Sequence, residues 1–84
     1  MKRIVEVENA GLDGLMGKRV TFFCLNYIYT GDLTGVNERF VELSNPAIVY
    51  ETGPFHEKDW KDAQGLPSTI FIMLGSVEAF GEVK

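Results

Sequence analysis

The stretch YIYTGDLTGVN, residues Tyr27–Asn37, has the β-branched and aromatic content of a strand but carries two glycines, Gly31 and Gly35. Strand interiors normally avoid glycine, which offers no side chain to pack and costs entropy to order. Side chains alternate along a strand, so Tyr29, Gly31, Leu33 and Gly35 share one face and Thr30, Asp32 and Thr34 the other. The second set is wholly polar and is expected to face water. The glycines therefore fall on the apolar face, where a packed side chain is the norm. A sharply bent sheet has this requirement, because inward glycines remove the Cβ atoms that would collide at the bend. Gly31 and Gly35 are accordingly read as structural bend points, and Pro46 as another. A phosphate-cradling role would need a strand-to-helix turn, and no helical pattern follows.

Working outward, KRVTFFCL from Lys18 is a strand with Val20, Phe22 and Cys24 on one face and Phe23 and Leu25 on the other, covered on both sides. Asn26 leaves room only for a tight hairpin. Asn37, Glu38 and Arg39 form the next break. RFVELS then places Phe40 or Val41, and Leu43, inward. SNP marks a kink, since Pro46 cannot donate to a ladder, and AIVYET resumes the strand. Residues 53–67 mix Gly, Pro and charges without periodicity and are expected to form a long loop. STIFIML and VEAFGEV supply the last two strands, separated by Gly75 and Ser76. At the other end, residues 1–9 read as an extended arm, and Asn9 is placed to cap a turn or two carrying Leu12, Leu15 and Met16. The expectation is an all-β single domain over residues 1–84: a small five-stranded, strongly bent antiparallel SH3-like barrel with a short N-terminal helical turn.

Composition sets bounds on partners. Eighty-four residues form one domain, and a chain this short buries a modest share of its unfolded surface. No apolar run approaches a membrane span or a secretory leader. The single Cys24 excludes an internal disulfide and points to a reducing, cytoplasmic setting. The net charge of −4 counts against a dedicated duplex-DNA binder. The charge is uneven, however. Residues 1–20 carry Lys2, Arg3, Lys18 and Arg19 against Glu6, Glu8 and Asp13, whereas the remainder holds four cations against nine carboxylates. A solvated surface accounts for this, with a weakly basic face around Lys18 and Arg19 as the sharper reading.

STIFIML raises a question of cover. Ile70, Ile72 and Leu74 alternate with Phe71 and Met73, so both faces are apolar in a domain with room for one core. Either loop 53–67 folds over the second face, or the strand pairs with another copy of the chain. A closed ring would use every such edge. Assembly is the reading favoured, through Ile70, Ile72, Leu74, Val77 and Phe80.

The order GKRVTFFCL, then YTGDLTGVNERFVEL, then IFIMLGSVEAF resembles the Sm and Sm-like proteins. Gly17, Lys18, Val20, Gly31, Leu33, Gly35 and Gly75 match by position, and the resemblance covers roughly residues 12–80. It implies a ring in which the fourth and fifth strands pair between neighbours. It also implies binding of single-stranded RNA around the pore by the turn after the second strand, here Asn37 and Arg39, and by the turn before the last, here Gly75 and Ser76. Asn37 stands where the family has Asp, and Arg39 lies near the base-stacking position, where a guanidinium can stack. The family's uridine-reading Asn has no counterpart, Val41 standing near that place. Leu74 replaces the Arg before glycine. Selectivity among bases is thus expected to be poor.

No enzyme, metal or cofactor is expected. His56, Glu57, Asp59 and Asp62 crowd the long loop beside Phe55 and Trp60, but one His with carboxylates in a loop is weak as a metal site. Cys24 in a packed strand reads as an inert thiol. Two functions remain open: a homo-oligomeric ring binding single-stranded RNA or DNA at its pore, or an assembly scaffold that kept the ring without the ligand.

Overall fold

The computed structural model describes residues 11–84. The arm 1–9, with Lys2, Arg3 and the proposed cap Asn9, lies outside them. A single helical turn, α1 (Gly11–Gly14), is followed by strands β1 (Arg19–Cys24), β2 (Ile28–Val36), β3 (Phe40–Glu51), β4 (Asp62–Gly65), β5 (Ile70–Met73) and β6 (Val77–Gly81). A 3₁₀ turn, Leu74–Ser76, joins the last two. The helix stops early because Gly17 adopts φ 83°, open to glycine and strained for other residues. From there Gly17 N–H donates to the Leu33 carbonyl (2.8 Å) and Leu33 N–H to the Lys18 carbonyl (2.9 Å), so the chain enters β1 already paired.

All pairings are antiparallel, in the order β4-β3-β2-β1-β6, with β5 also on β3. The 12-residue β3 is the hub. Its first half pairs β5 (Phe40 with Met73, Leu43 with Ile70) and its second half pairs β4 (Ala47 with Gly65, Val49 with Ala63), while β2 runs along the other side. Between the halves, Asn45 takes φ 48° and Pro46 follows it, buried. Proline belongs at such a bulge because no ladder donor is needed there. The β2–β3 register shifts at the same place, between Thr30 and Asp32, and again between Leu33 and Gly35. The buried Gly31 falls within the first shift, and the half-buried Gly35, which faces Glu42 and not the core, follows the second. A Cβ at Gly31 would lie 3.0 Å from Leu43 Cβ. Asp32 and Arg19 tie the bend from outside: the Asn45 amide donates to Asp32 Oδ2 (3.0 Å), and the Arg19 guanidinium donates to the Asn45 carbonyl (2.6 Å) and to Asp32 (3.4 Å).

The architecture is all-β, as the alternation required, but the five-stranded closed barrel is corrected on two counts. There are six strands, because β4 forms within segment 53–67. The sheet is also open, since β5 and β6 pair with β3 and β1 and not with each other. The core comprises Val20, Phe22, Leu33, Val41, Leu43 and Ile72, with Leu12 and Leu15 of the first turn packed against it. The choice between Phe40 and Val41 falls to Val41, which is fully buried.

Two surface expectations are also corrected. Thr30 is 2% exposed, bonded to the equally buried Thr21 through their hydroxyls (3.4 Å), because segment 52–60 crosses that face. Leu25, expected under cover, is 74% exposed at the β1–β2 turn. The same segment leaves β5 uncovered: Phe71 and Met73 are more than half exposed.

Candidate nucleic-acid interface

The 3₁₀ turn Leu74–Ser76 clamps two hairpin ends together. Leu74 N–H donates to the Arg39 carbonyl (2.9 Å), and Leu25 N–H donates to the Ser76 carbonyl (2.9 Å). The β2–β3 turn is itself closed by Asn37, whose side-chain oxygen accepts from the N–H groups of Arg39 and Phe40 (both 2.8 Å). Asparagine suits this place because its short carboxamide mimics a backbone turn. Its acceptor is thereby committed to the fold. Arg39 is exposed and forms no ion pair with another described residue. The structure thus gathers Arg39, Asn37, Gly75 and Ser76 at one corner.

Lys18 and Arg19 lie elsewhere. Lys18 pairs with Glu82 (3.5 Å) and Arg19 with Asp32 (3.4 Å), so the two cations are largely neutralised where they stand. Asp32 is held below the usual carboxylate range by the Asn45 amide first and by Arg19 next.

An aromatic component appears that the sequence reading did not assign. Tyr27, 52% exposed, tilts against Tyr29 at 6.2 Å and lines a small cleft with Cys24, Leu25 and Ser76. Tyr27 thus lies beside the Ser76 end of the 3₁₀ turn, whose Leu74 end bonds the Arg39 backbone. An aromatic immediately after the turn-forming Asn26 was the available signal. The Cys24 thiol in the same cleft is pushed up by desolvation, with Glu78 adding to it and Ser76 opposing, which makes it a poor nucleophile. Among the described residues no group of three His, Cys, Asp or Glu side chains converges to hold a metal ion.

The proposed interface residues divide by face. Ile72 belongs to the core of this chain, with Ile70, Leu74 and Val77 packed against that core. Phe80 stacks on Phe22 at 5.9 Å and stays 39% exposed. The outward side chains of β5 are instead Phe71, edge-on to Phe40 at 5.2 Å, and Met73. They border a groove of about 440 Å³ reaching Tyr29, Ile48 and Leu66 beside the unpaired edge of β5. No helix among the described residues is long and apolar enough to cross a membrane. No protein-family model matches this chain, and no curated protein matches its sequence.

Proposed function

We propose that this chain is an Sm-like subunit that pairs edge to edge into a homo-oligomeric ring, and that the ring takes single-stranded RNA or DNA at the corner around the 3₁₀ turn. The observation that carries the nucleic-acid reading is the clamp of residues 74–76, whose Leu74 end bonds the backbone of the exposed Arg39 and whose Ser76 end borders the exposed Tyr27. A cation and a π face flanking a backbone turn are the two elements of sequence-tolerant strand binding, phosphate contact and base stacking. The assembly reading is supported by β5 and β6, each with an unpaired edge, and by the apolar face of Phe71 and Met73 left open beside one of them. The Sm-like motifs and the bent, glycine-relieved β2–β3 pair support the same assignment.

A second reading, a scaffold ring without nucleic acid, is favoured by one feature. Asn37 spends its acceptor inside its own turn, and the acidic Glu38 separates it from Arg39. A polarisation titration with oligo-U, oligo-A and single-stranded DNA, run beside light scattering, decides between them. The expected result is micromolar binding with little base preference, weakened by Arg39→Ala while the scattering mass stays unchanged. Wild-type protein that ignores every oligonucleotide at low salt leaves the scaffold reading in its place.

A further inference from the structure

Lys84, beyond β6, directs its ammonium into the segment that covers the Thr21–Thr30 face. Its Nζ donates to the carbonyl oxygens of Thr52 (2.6 Å), Pro54 (3.1 Å) and Asp59 (2.9 Å). It also lies 4.7 Å from the ring centre of Trp60 and 5.7 Å from that of Phe55. The two rings meet edge to face, at 6.3 Å and 87°. A primary ammonium has three N–H donors and no acceptor, so the three carbonyls use all of them. The rings add the negative potential of their faces.

Two of the three carbonyls have a second donor that holds them without Lys84, Lys61 N–H for Thr52 (3.4 Å) and Glu57 N–H for Pro54. Gly53 takes φ 67°, the Thr52 hydroxyl donates to the Gly53 carbonyl (2.9 Å), and Glu57 N–H donates to the Pro54 carbonyl (3.1 Å). Beneath them, Trp60 and Lys84 share a cavity of about 330 Å³ with Thr30 and Ala47.

We infer that segment 52–60 is a built receptor for a primary ammonium group, filled by the chain's own Lys84, and that this contact latches the segment over the buried threonine pair. The donor set defines the ligand class. A lysine side chain or simple alkylammonium satisfies three converging carbonyls. A quaternary ammonium has no N–H to offer, and a planar guanidinium sends its donors outward in a fork.

Lys84→Ala vacates the site and leaves space for n-propylammonium, which matches the missing part of the side chain. Trp60, the sole tryptophan, reports the result. In this variant, Trp60 emission is expected to shift to the red, and hydrogen exchange of segment 52–61 to quicken by about tenfold or more, the scale of a lost charge-assisted hydrogen bond. Millimolar n-propylammonium restores both signals, whereas tetramethylammonium and Lys84→Arg do not. Unchanged Trp60 emission and exchange in Lys84→Ala overturn the latch. Equal rescue by tetramethylammonium overturns the three-donor receptor. Should Lys84→Ala lose its fold, recovery with n-propylammonium alone still supports the proposal, and failure to recover overturns it.

Discussion

A methyl group added at Gly31 would stand 3.0 Å from Leu43 Cβ and 3.2 Å from the Ser44 carbonyl, neither of which can retreat without moving β3. At Gly35 the close atoms belong to a single side chain, Glu42, whose Cβ lies at 3.2 Å, farther off than Leu43 Cβ from Gly31, and whose Oε1 at 3.3 Å gives way on releasing its bond from the Thr34 hydroxyl (2.8 Å). Gly31→Ala is therefore expected to cost about 1–3 kcal/mol as overpacking, and Gly35→Ala clearly less. Denaturant melts check the order, and equal midpoints for both variants would remove the argument from close approach. Cys24 gives a second test. With its thiol raised by desolvation, alkylation by iodoacetamide at neutral pH should be slower than for a free cysteine. The rate should climb only above the usual thiol range of about 8.5. A rate matching glutathione at neutral pH contradicts the burial. Gly31 keeps the inward place that period-two alternation gave it, opposite Leu43, but Gly35 does not: the register shift after Leu33 turns it toward Glu42, and Val36 packs on the core instead. Thr30 was misread because its cover arrives from Trp60 and Lys84, which no local pattern connects to it.

At the scale of elements, β5 separates two kinds of hydrophobic residue. Ile72, 5% exposed, holds the core, and Ile72→Asp should unfold the subunit, since a buried unpaired charge costs several kcal/mol. Phe71→Glu and Met73→Glu place their charge on the outward face. They are expected to retain the wild-type far-ultraviolet spectrum and melt within about 1 kcal/mol. In light scattering they should run as monomers while wild type runs as an oligomer. A wild-type monomer at micromolar concentration removes the assembly proposal. The two apolar faces of this strand could be read directly from STIFIML. Which face turned inward could not, because Ile-Ile and Phe-Met are equally apolar and only pairing with β3 decides. β4 was missed for the opposite reason. DAQG has no apolar member beyond alanine, is exposed throughout, and exists as a strand only because the second half of β3 offers it an edge. β3 itself runs unbroken through Pro46, which the bulge at Asn45 accommodates.

For the molecule as a whole, charge governs how a ligand would be held. The chain carries −4 overall, and Lys18, Arg19 and Lys61 are each paired with a carboxylate. Arg39 therefore acts against an acidic background. Oligonucleotide affinity should fall steeply with salt, and Arg39→Ala should flatten that dependence by about one counterion per bound copy. A salt slope unchanged in the variant excludes Arg39 from the contact. The neighbourhood of Arg39 and the 3₁₀ turn was anticipated from motif order. The nearness of Tyr27 to that turn was not, because the clamp between Leu25 and Ser76 is a long-range bond.

Among the described strands β4, β5 and β6 each keep an unpaired edge, and the two proposed to join copies are unlike, that of β5 carrying the aromatic flank and that of β6 lacking it. A body whose two joining surfaces differ has polarity, so copies linked through them all point the same way around the circle. Such an assembly has a front and a back that are chemically distinct. In the proposed ring every copy of the Arg39 corner would stand at the same height, so a strand threaded through the centre would meet the two openings as different environments.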